Sequence, residues 1–584
     1  MSQSTSVATP VVVLQVGDEW RRYTDPVRVI VAGAAGELLP AIGEIERAVE
    51  EEGLIAAGYL AYEAAAAYGL ATHSTGADAP PLLWFGLFKE WQTIEPPAPA
   101  GDYTFGEWQP SLDRATYDAA IARVHEAIAA GDIRQGNYTF HLRASFAGDP
   151  WALFAGLAAA QRSSHCAYID LGRFAICSAS PELFFRLDGS TIESRPMKGT
   201  APRGLSSADD RRQIEWLRQS GKNRAENKLA VDLVRDDFSH IARPDSIHVP
   251  DWFTVERYPT VLQMTSTVRA ETDASLADIL AATYSCASIA GAPRAAAMRV
   301  IKELEPEPRG VYTGAIGMIA PGRRMLFNVA IRTAVIDRER GRVDYGVGSG
   351  VGPDSDATAE YEECLLKASV LEKSRQTAID FSLLESLRWS PGEGYYLMKA
   401  HLERMRASAD YFMFPFDGDL IQQQLFDTAM QLTEPTKVRL LVDRHGRPAV
   451  KAQLLPVAGG PSPLRVGLAK EPVSSANLFL YHKTTRRWTY EIARASRPDC
   501  NDVILWNERS ELTESSAANI VLELDGRLLT PPVTSGLLAG TLRGHLLAGG
   551  RITERVLGVD DLARATRLWL INSVRGWQPA VWQR

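Results

Sequence analysis

Residues 193–204 read ESRPMKGTAPRG, and the reading of the whole chain turns on the lone lysine there, Lys198. Two glycines and two prolines keep the stretch out of a helix. In such a loop a lysine is ordinarily a solvated point charge. It becomes a nucleophile only when neutral, which requires desolvation or nearby cations, and Arg195 and Arg203 are the cations closest in sequence. Working outward, Glu182 follows Pro181 in SPE and by itself is a turn carboxylate. NRAENKLAVDLVRDD (223–237) predicts a helix beginning at Glu226 with an apolar face through Leu229, Ala230 and Leu233. AEYEECLLKASVLEKSRQ (359–376) predicts another, on which Glu360 and Glu363 share a face. The plain explanation of that pair is a solvated surface neutralised by Lys367, one turn beyond Glu363. The chemical one is Mg2+, which favours one or two carboxylates plus substrate oxygens. Glu226 with Glu360 or Glu363 suits it, but spacing alone does not bring them together.

A chain of 584 residues implies two or more domains. Its 45% hydrophobic and 23% charged residues are those of a soluble globular protein, and a net charge of −8 without a basic tract argues against nucleic acid or an anionic membrane. The five cysteines lack CxxC spacing, which fits a reducing cytoplasm rather than a disulfide scaffold or zinc site. No leader or membrane-spanning stretch is evident. RATYDAAIARVHEAIAAG predicts a helix from 114, and QGNYTFHLRASF a strand. The polar joint near 377–380 divides the chain into domains 1–376 and 377–584, with a further joint at 456–467 and a connector at 96–101.

Seven segments in order carry a resemblance over 178–368: SASPELFF, RPMKGTAPRG, AENKLAVDLVRDD, GVYTGAIG, FNVAIRT, YGVGSGVGPDSD and EYEECLLKA. Together they resemble the chorismate-binding enzymes, among them the anthranilate, aminodeoxychorismate, isochorismate and salicylate synthases. The resemblance implies an α+β chain whose first domain is an α/β sandwich of antiparallel sheets. It implies Mg2+ among Glu226, Glu360 and Glu363, holding the ring carboxylate of chorismate. Arg332 and Tyr312 would anchor the enolpyruvyl carboxylate, with backbone amides near Gly346 and Gly348. Singly, Arg332 is an ordinary strand arginine and the glycine run a turn. In this family the residue before Gly-Thr separates activities: alanine in anthranilate- and isochorismate-type enzymes, lysine in many aminodeoxychorismate synthases. Lys198, followed by Gly199 and Thr200, is therefore expected to attack C2 of chorismate, with Glu182 protonating the departing 4-hydroxyl and ammonia then entering at C4. Gln263 stands where the family carries histidine; it can hydrogen-bond a hydroxyl but cannot relay a proton. Ala290 and Arg294 depart from the usual Thr and Lys. The tryptophan-binding LLES element is not evident within residues 1–105, and LLES at 383–386 reads as unrelated. No built-in amidotransferase is evident, so ammonia comes from solution or from a separate glutaminase subunit.

In the tail, HLERMRASADYF (401–412) reads as a helix with His401 and Arg404 on one side. Lys483 falls at a strand end, Glu514 just ahead of a strand, and Gly540-Thr541 at a helix start, a natural phosphate seat. Each alone is a surface lysine, a turn glutamate or a helix cap. Together they resemble the class IV pyridoxal-phosphate enzymes, of two-lobed fold. That resemblance implies Lys483 bonded to the cofactor, Glu514 at its pyridine nitrogen, Arg404 with Gly540 and Thr541 at its phosphate, and a homodimer through this domain. INSVRGWQPA (571–580) resembles the lyase branch. The two halves imply chorismate amination to 4-amino-4-deoxychorismate, then loss of pyruvate to give 4-aminobenzoate. The rival is an anthranilate-type synthase joined to an amino-acid transaminase.

Overall fold

The computed structural model describes residues 9–76, 78–98, 101–376, 381–455 and 463–583. The joint expected at 377–380, residues 99–100 of the connector and residues 456–462 of the second joint lie outside them. Described residues fall into two compact units, Met1–Pro202 with Ile214–Ala378, and Arg203–Gln213 with Ile379–Arg584. The short run Arg203–Gln213 thus groups with the second unit although the surrounding sequence belongs to the first.

The first unit is built on an eleven-stranded and a ten-stranded sheet. Between them lie Val12, Tyr23, Ile169 and Ile176 from one sheet and Tyr59, Trp84 and Met318 from the other. Strands buried on both faces need not alternate, which is why LWFGLF (Leu83–Phe88) is apolar throughout. Helices cover the outer faces. Ala35–Glu50 packs Leu38, Ile42 and Ile45 against the ten-stranded sheet. Arg114–Ala129, capped by Asp113 accepting from the Thr116 amide, packs Tyr117, Ile121 and Val124 against the other. The strand after it, Gln135–Gly148, pairs antiparallel with Arg342–Val351.

That last strand positions the site. Its second neighbour, Thr333–Asp337, pairs only as far as Tyr345, so from Gly346 onward one edge has no strand beside it. The departure comes at Arg332, whose φ of 52° turns the chain out of the ladder. Helix Ala357–Gln376 follows directly. Helix Gly221–Ser239 begins five residues before Glu226, because Ser220 caps it by accepting from the Asn223 amide. Its buried face runs through Ala230, Val231, Val234 and Phe238; Leu229 and Leu233 are only half-buried.

The second unit has a four-stranded antiparallel sheet backed by helices Met398–Phe412 and Gly418–Ala429. It also has an eight-stranded mixed sheet around Val466, Ile504, Ile520 and Leu570. These are the two lobes expected of the tail.

Candidate functional sites

The open edge after Gly346 and the helices carrying Glu226 and Glu360 enclose a cavity of ≈ 450 Å³ in the first unit. Lys198, Glu182, Thr200, Gln263, Tyr312, Arg332, Gly346, Gly348, Glu226, Glu360 and Glu363, distant in sequence, all line it. Every residue assigned to the first site is therefore gathered there.

Lys198 is half-buried, and its side chain donates no hydrogen bond to a described residue. Burial lowers its pKa, and Lys367 lowers it further; Glu182, Glu226 and Glu363 pull the other way. The neighbouring cation is thus Lys367, not the expected arginines. Arg203 is forked onto Asp210 at 2.7–2.9 Å within the second unit, and Arg195 reaches Glu256 at 3.4 Å. The strand Met197–Pro202 holds the lysine by its backbone: Asn227, wholly buried, donates to the Lys198 carbonyl at 3.3 Å. Gln263 spends both ends of its amide here, donating to the Gly199 carbonyl at 3.0 Å and accepting from the Thr200 hydroxyl at 3.1 Å. A glutamine so committed braces the loop rather than meeting a substrate hydroxyl. Opposite the amine, a methyl group on Gly350 would stand 2.9 Å from Lys198 Nζ and 2.6 Å from Gln135 Nε2, so a larger residue there would make both side-chain ends shift.

Glu182 is buried, and burial raises its pKa to about 7, partly offset by Ser288 and Lys198. Its Oε1 has no hydrogen-bond partner among the described residues. A carboxyl balanced between its two states with a free oxygen is equipped to pass a proton.

Glu363 pairs with Lys367 at 2.8 Å, and that ammonium also donates to the Gly348 carbonyl at 2.8 Å. Lys367, read from sequence as a surface charge, is a cavity residue. Burial raises the pKa of Glu226, and the like charges of Glu360 and Glu363 add to this. Among the described residues no three acidic, His or Cys side chains are close enough to hold a metal. The donors still suit Mg2+: they are carboxylates that line one cavity from two helices, and a cation would relieve their mutual repulsion. Arg332, buried, donates to the Lys367 carbonyl, and its charge also acts on Glu363. Gln161 and Tyr345 also line the cavity; the Gln161 side chain is buried with no partner among the described residues, and the Tyr345 hydroxyl lies near Arg332. Ala290 is buried in the short helix Ala287–Ala290, and Arg294 is tied to Asp237.

In the second unit Lys483 lies in irregular chain rather than at the end of a strand; the next residue, Thr484, forms an isolated bridge to Leu383. Burial lowers its pKa to about 8, with Arg404 adding to the effect. Glu514 lies within the strand Leu512–Ser515, buried, its pKa raised to about 7 by that burial. Three donors fix it: the Tyr490 hydroxyl at 2.7 Å, the Leu538 amide at 3.1 Å and Asn519 Nδ2 at 3.2 Å. Arg404 forks onto Glu385 at 2.7–2.8 Å and donates to the Ala539 carbonyl at 3.0 Å. Glu385 also meets His401 Nδ1 at 2.6 Å, and His401 Nε2 lies 3.2 Å from the Thr541 hydroxyl. Glu385 comes from the LLES stretch that sequence reading set aside. Gly540 caps helix Thr541–Ala548, and a methyl group there would stand 1.9 Å from Asn519 Oδ1. The set fits pyridoxal phosphate: an amine near neutrality, a buried carboxyl suited to a pyridinium, and a helix N-terminus flanked by Arg404 and Thr541.

Residues 34–373 match the chorismate binding enzyme family, and residues 382–581 match amino-transferase class IV. Aminodeoxychorismate synthase component 1 of Escherichia coli (strain K12) is 35% identical over 288 residues, covering 49% of this chain and 63% of that protein. Anthranilate synthase component 1 of Aquifex aeolicus is 34% identical over 277 residues, covering 47% and 56%. The chain thus spans less than two thirds of these relatives' lengths. The crystal structure of anthranilate synthase component I from Streptococcus pneumoniae TIGR4 superposes with a TM-score of 0.53 at 22% identity, over 64% of this chain and 94% of that one, a likeness of fold.

Proposed function

This chain belongs to the chorismate binding enzyme family, and we propose that its first unit aminates chorismate at C4 while its second converts that product to 4-aminobenzoate and pyruvate. Overall identity does not choose between the two kinds of synthase it resembles, since they overlap at 35–38% and 34–36%. The observation that carries the choice is Lys198: an amine biased toward neutrality, with no hydrogen bond to a described residue, facing the cavity beside Glu182.

The neutral Lys198 amine bonds to C2 of chorismate, losing a proton as it does so, both ring double bonds shift by one position, and the C4–O bond breaks. Glu182 gives its proton to the departing hydroxyl, which leaves as water. Ammonia then bonds to C4, both double bonds shift back, and Lys198 departs from C2; the protons released on forming the two C–N bonds return to the departing lysine and to Glu182, leaving the amine on C4. Arg332, Tyr312 and Tyr345 hold the enolpyruvyl carboxylate. Glu226, Glu360 and Glu363 would hold Mg2+, which supplies charge to bind and polarise the ring carboxylate end of the substrate. Ammonia is delivered by a separate glutamine amidotransferase chain or taken from solution.

In the second unit, pyridoxal phosphate supplies an electron sink that acidifies the carbon bearing the substrate amine. Lys483 would carry it, with Glu514 at its ring nitrogen and Arg404, Gly540 and Thr541 around its phosphate. Lys483 takes the C4 proton; pyruvate leaves from C3 and the ring becomes aromatic. The first unit's product is this reaction's substrate, which favours elimination over transamination. We place the enzyme in the cytoplasm and pair two copies through the second unit; no described helix is long and apolar enough to cross a membrane.

Incubation of the purified chain with chorismate, ammonium, Mg2+ and pyridoxal phosphate tests the reading. It predicts 4-aminobenzoate and pyruvate in equal amounts. Accumulating anthranilate would instead establish the rival synthase–transaminase pairing.

A further inference from the structure

The four-stranded sheet of the second unit buries one face and leaves the other strongly basic. Leu383, Leu387, Val438, Leu440 and Val442 pack under the helices. Strand alternation sends their neighbours Arg388, Lys437 and Arg439 to the opposite face, together with Lys451. The register sets Arg388 directly across from Lys437, and Arg439 directly across from Lys451. Directly opposed like charges destabilise a sheet, yet this one carries two such pairs side by side. None of the four forms an ion pair with a described residue. Arg388 lies instead over the Tyr396 ring, 4.8 Å from its centroid.

Two other elements add to the patch. Arg575, exposed in the turn before the strand Gly576–Gln583, and Arg487, just ahead of helix Trp488–Ala495, both act on Lys437. Burial lowers the pKa of that lysine, and Arg575, Arg439 and Arg487 lower it further, with no carboxylate acting against them. The edge of this sheet meets the segment that carries the reacting lysine. Leu384, on the same side as Arg388, donates its amide to the Lys483 carbonyl at 2.9 Å, and Arg487 lowers the pKa of Lys483 as well. Adjacent strands lie roughly 4.8 Å apart and alternate residues along a strand roughly 6.8 Å apart. Cations on that grid can engage two carboxylates of one small molecule at once.

We propose that this basic face is a dicarboxylate-binding surface that holds the second unit's substrate by both carboxylates while its amine-bearing carbon is presented to Lys483. The inference rests on the reading of that substrate as 4-amino-4-deoxychorismate, a dianion with its amine remote from either carboxylate. An ordinary amino acid, with the amine beside one carboxylate, would leave most of these cations unpaired.

Isophthalate, a ring bearing two carboxylates, and benzoate, bearing one, are inert probes of the surface. With the pyridoxal-phosphate-loaded full chain, acetylation of Lys437 is followed by peptide mass spectrometry. Isophthalate is expected to slow it about tenfold at a concentration where benzoate has little effect. Equal protection by the two, or none, would overturn the proposal whether or not the enzyme turns over. Lys437→Gln and Arg575→Gln, both outside the apolar core, should each raise KM for 4-amino-4-deoxychorismate about tenfold with kcat nearly unchanged. An unchanged KM alongside normal 4-aminobenzoate production would remove the surface and leave the function standing. Selective isophthalate protection in a chain that makes no 4-aminobenzoate would uphold the surface and remove the function.

Discussion

Lys198 and Lys483 are alike in chemistry and differ in what surrounds them. Burial draws both amines toward neutrality, and each stands near a buried carboxyl raised to about 7. In the first unit that carboxyl, Glu182, keeps one oxygen unpartnered. In the second, Glu514 is fixed by Tyr490, Leu538 and Asn519. A free carboxyl can move a proton; a pinned one can only set a charge. The difference assigns proton transfer in the first reaction to Glu182 and in the second to Lys483, with Glu514 an electrostatic partner.

The sharpest way to break this contrast is at Lys483. Its replacement by alanine should cut 4-aminobenzoate formation on the order of 10⁴-fold, while chromatography shows 4-amino-4-deoxychorismate accumulating from an intact first unit. Glu182→Gln should slow amination by about 10²–10³-fold, measured as chorismate consumption, without altering turnover of added 4-amino-4-deoxychorismate. Gly350→Ala would press a methyl group against Lys198 Nζ and Gln135. Displacing the amine should cost the first step about 10–100-fold and leave the second untouched. Lys367→Met makes the gentlest change. Removing a like charge raises the pKa of Lys198, so less neutral amine is present at a given pH, and the acid limb of the amination rate profile should move to higher pH.

Much of the first site was legible because its residues fall within contiguous motifs: Lys198, Glu182, Arg332 and the three glutamates all reached the cavity their motifs implied. The supporting residues carried no such mark. Lys367 looked like the surface partner of Glu363, since a helix repeat does not disclose that the face is covered. Asn227 sits one residue beyond Glu226, yet its task, holding the Lys198 carbonyl, depends on a crossing of helix and strand separated by 29 residues. Arg195 and Arg203 were natural choices from proximity in sequence, but ion pairs elsewhere claim both. In the tail, Glu385 was passed over because its LLES stretch matched only an element of the other domain, although Arg404 and His401 both converge on it. Single helices and strands followed from hydrophobic periodicity, and the layers and lobes from the family resemblances; the bracing of each site depended on contacts that neither encodes.

The central claim is that Lys198 performs the chemistry that sets amination at C4 apart. It is tested most directly by Lys198→Ala, given chorismate, ammonium, Mg2+ and pyridoxal phosphate, with 4-aminobenzoate measured over time. The prediction is loss of 4-aminobenzoate from chorismate, while added 4-amino-4-deoxychorismate is still converted at the parent rate. Undiminished 4-aminobenzoate from chorismate would contradict it.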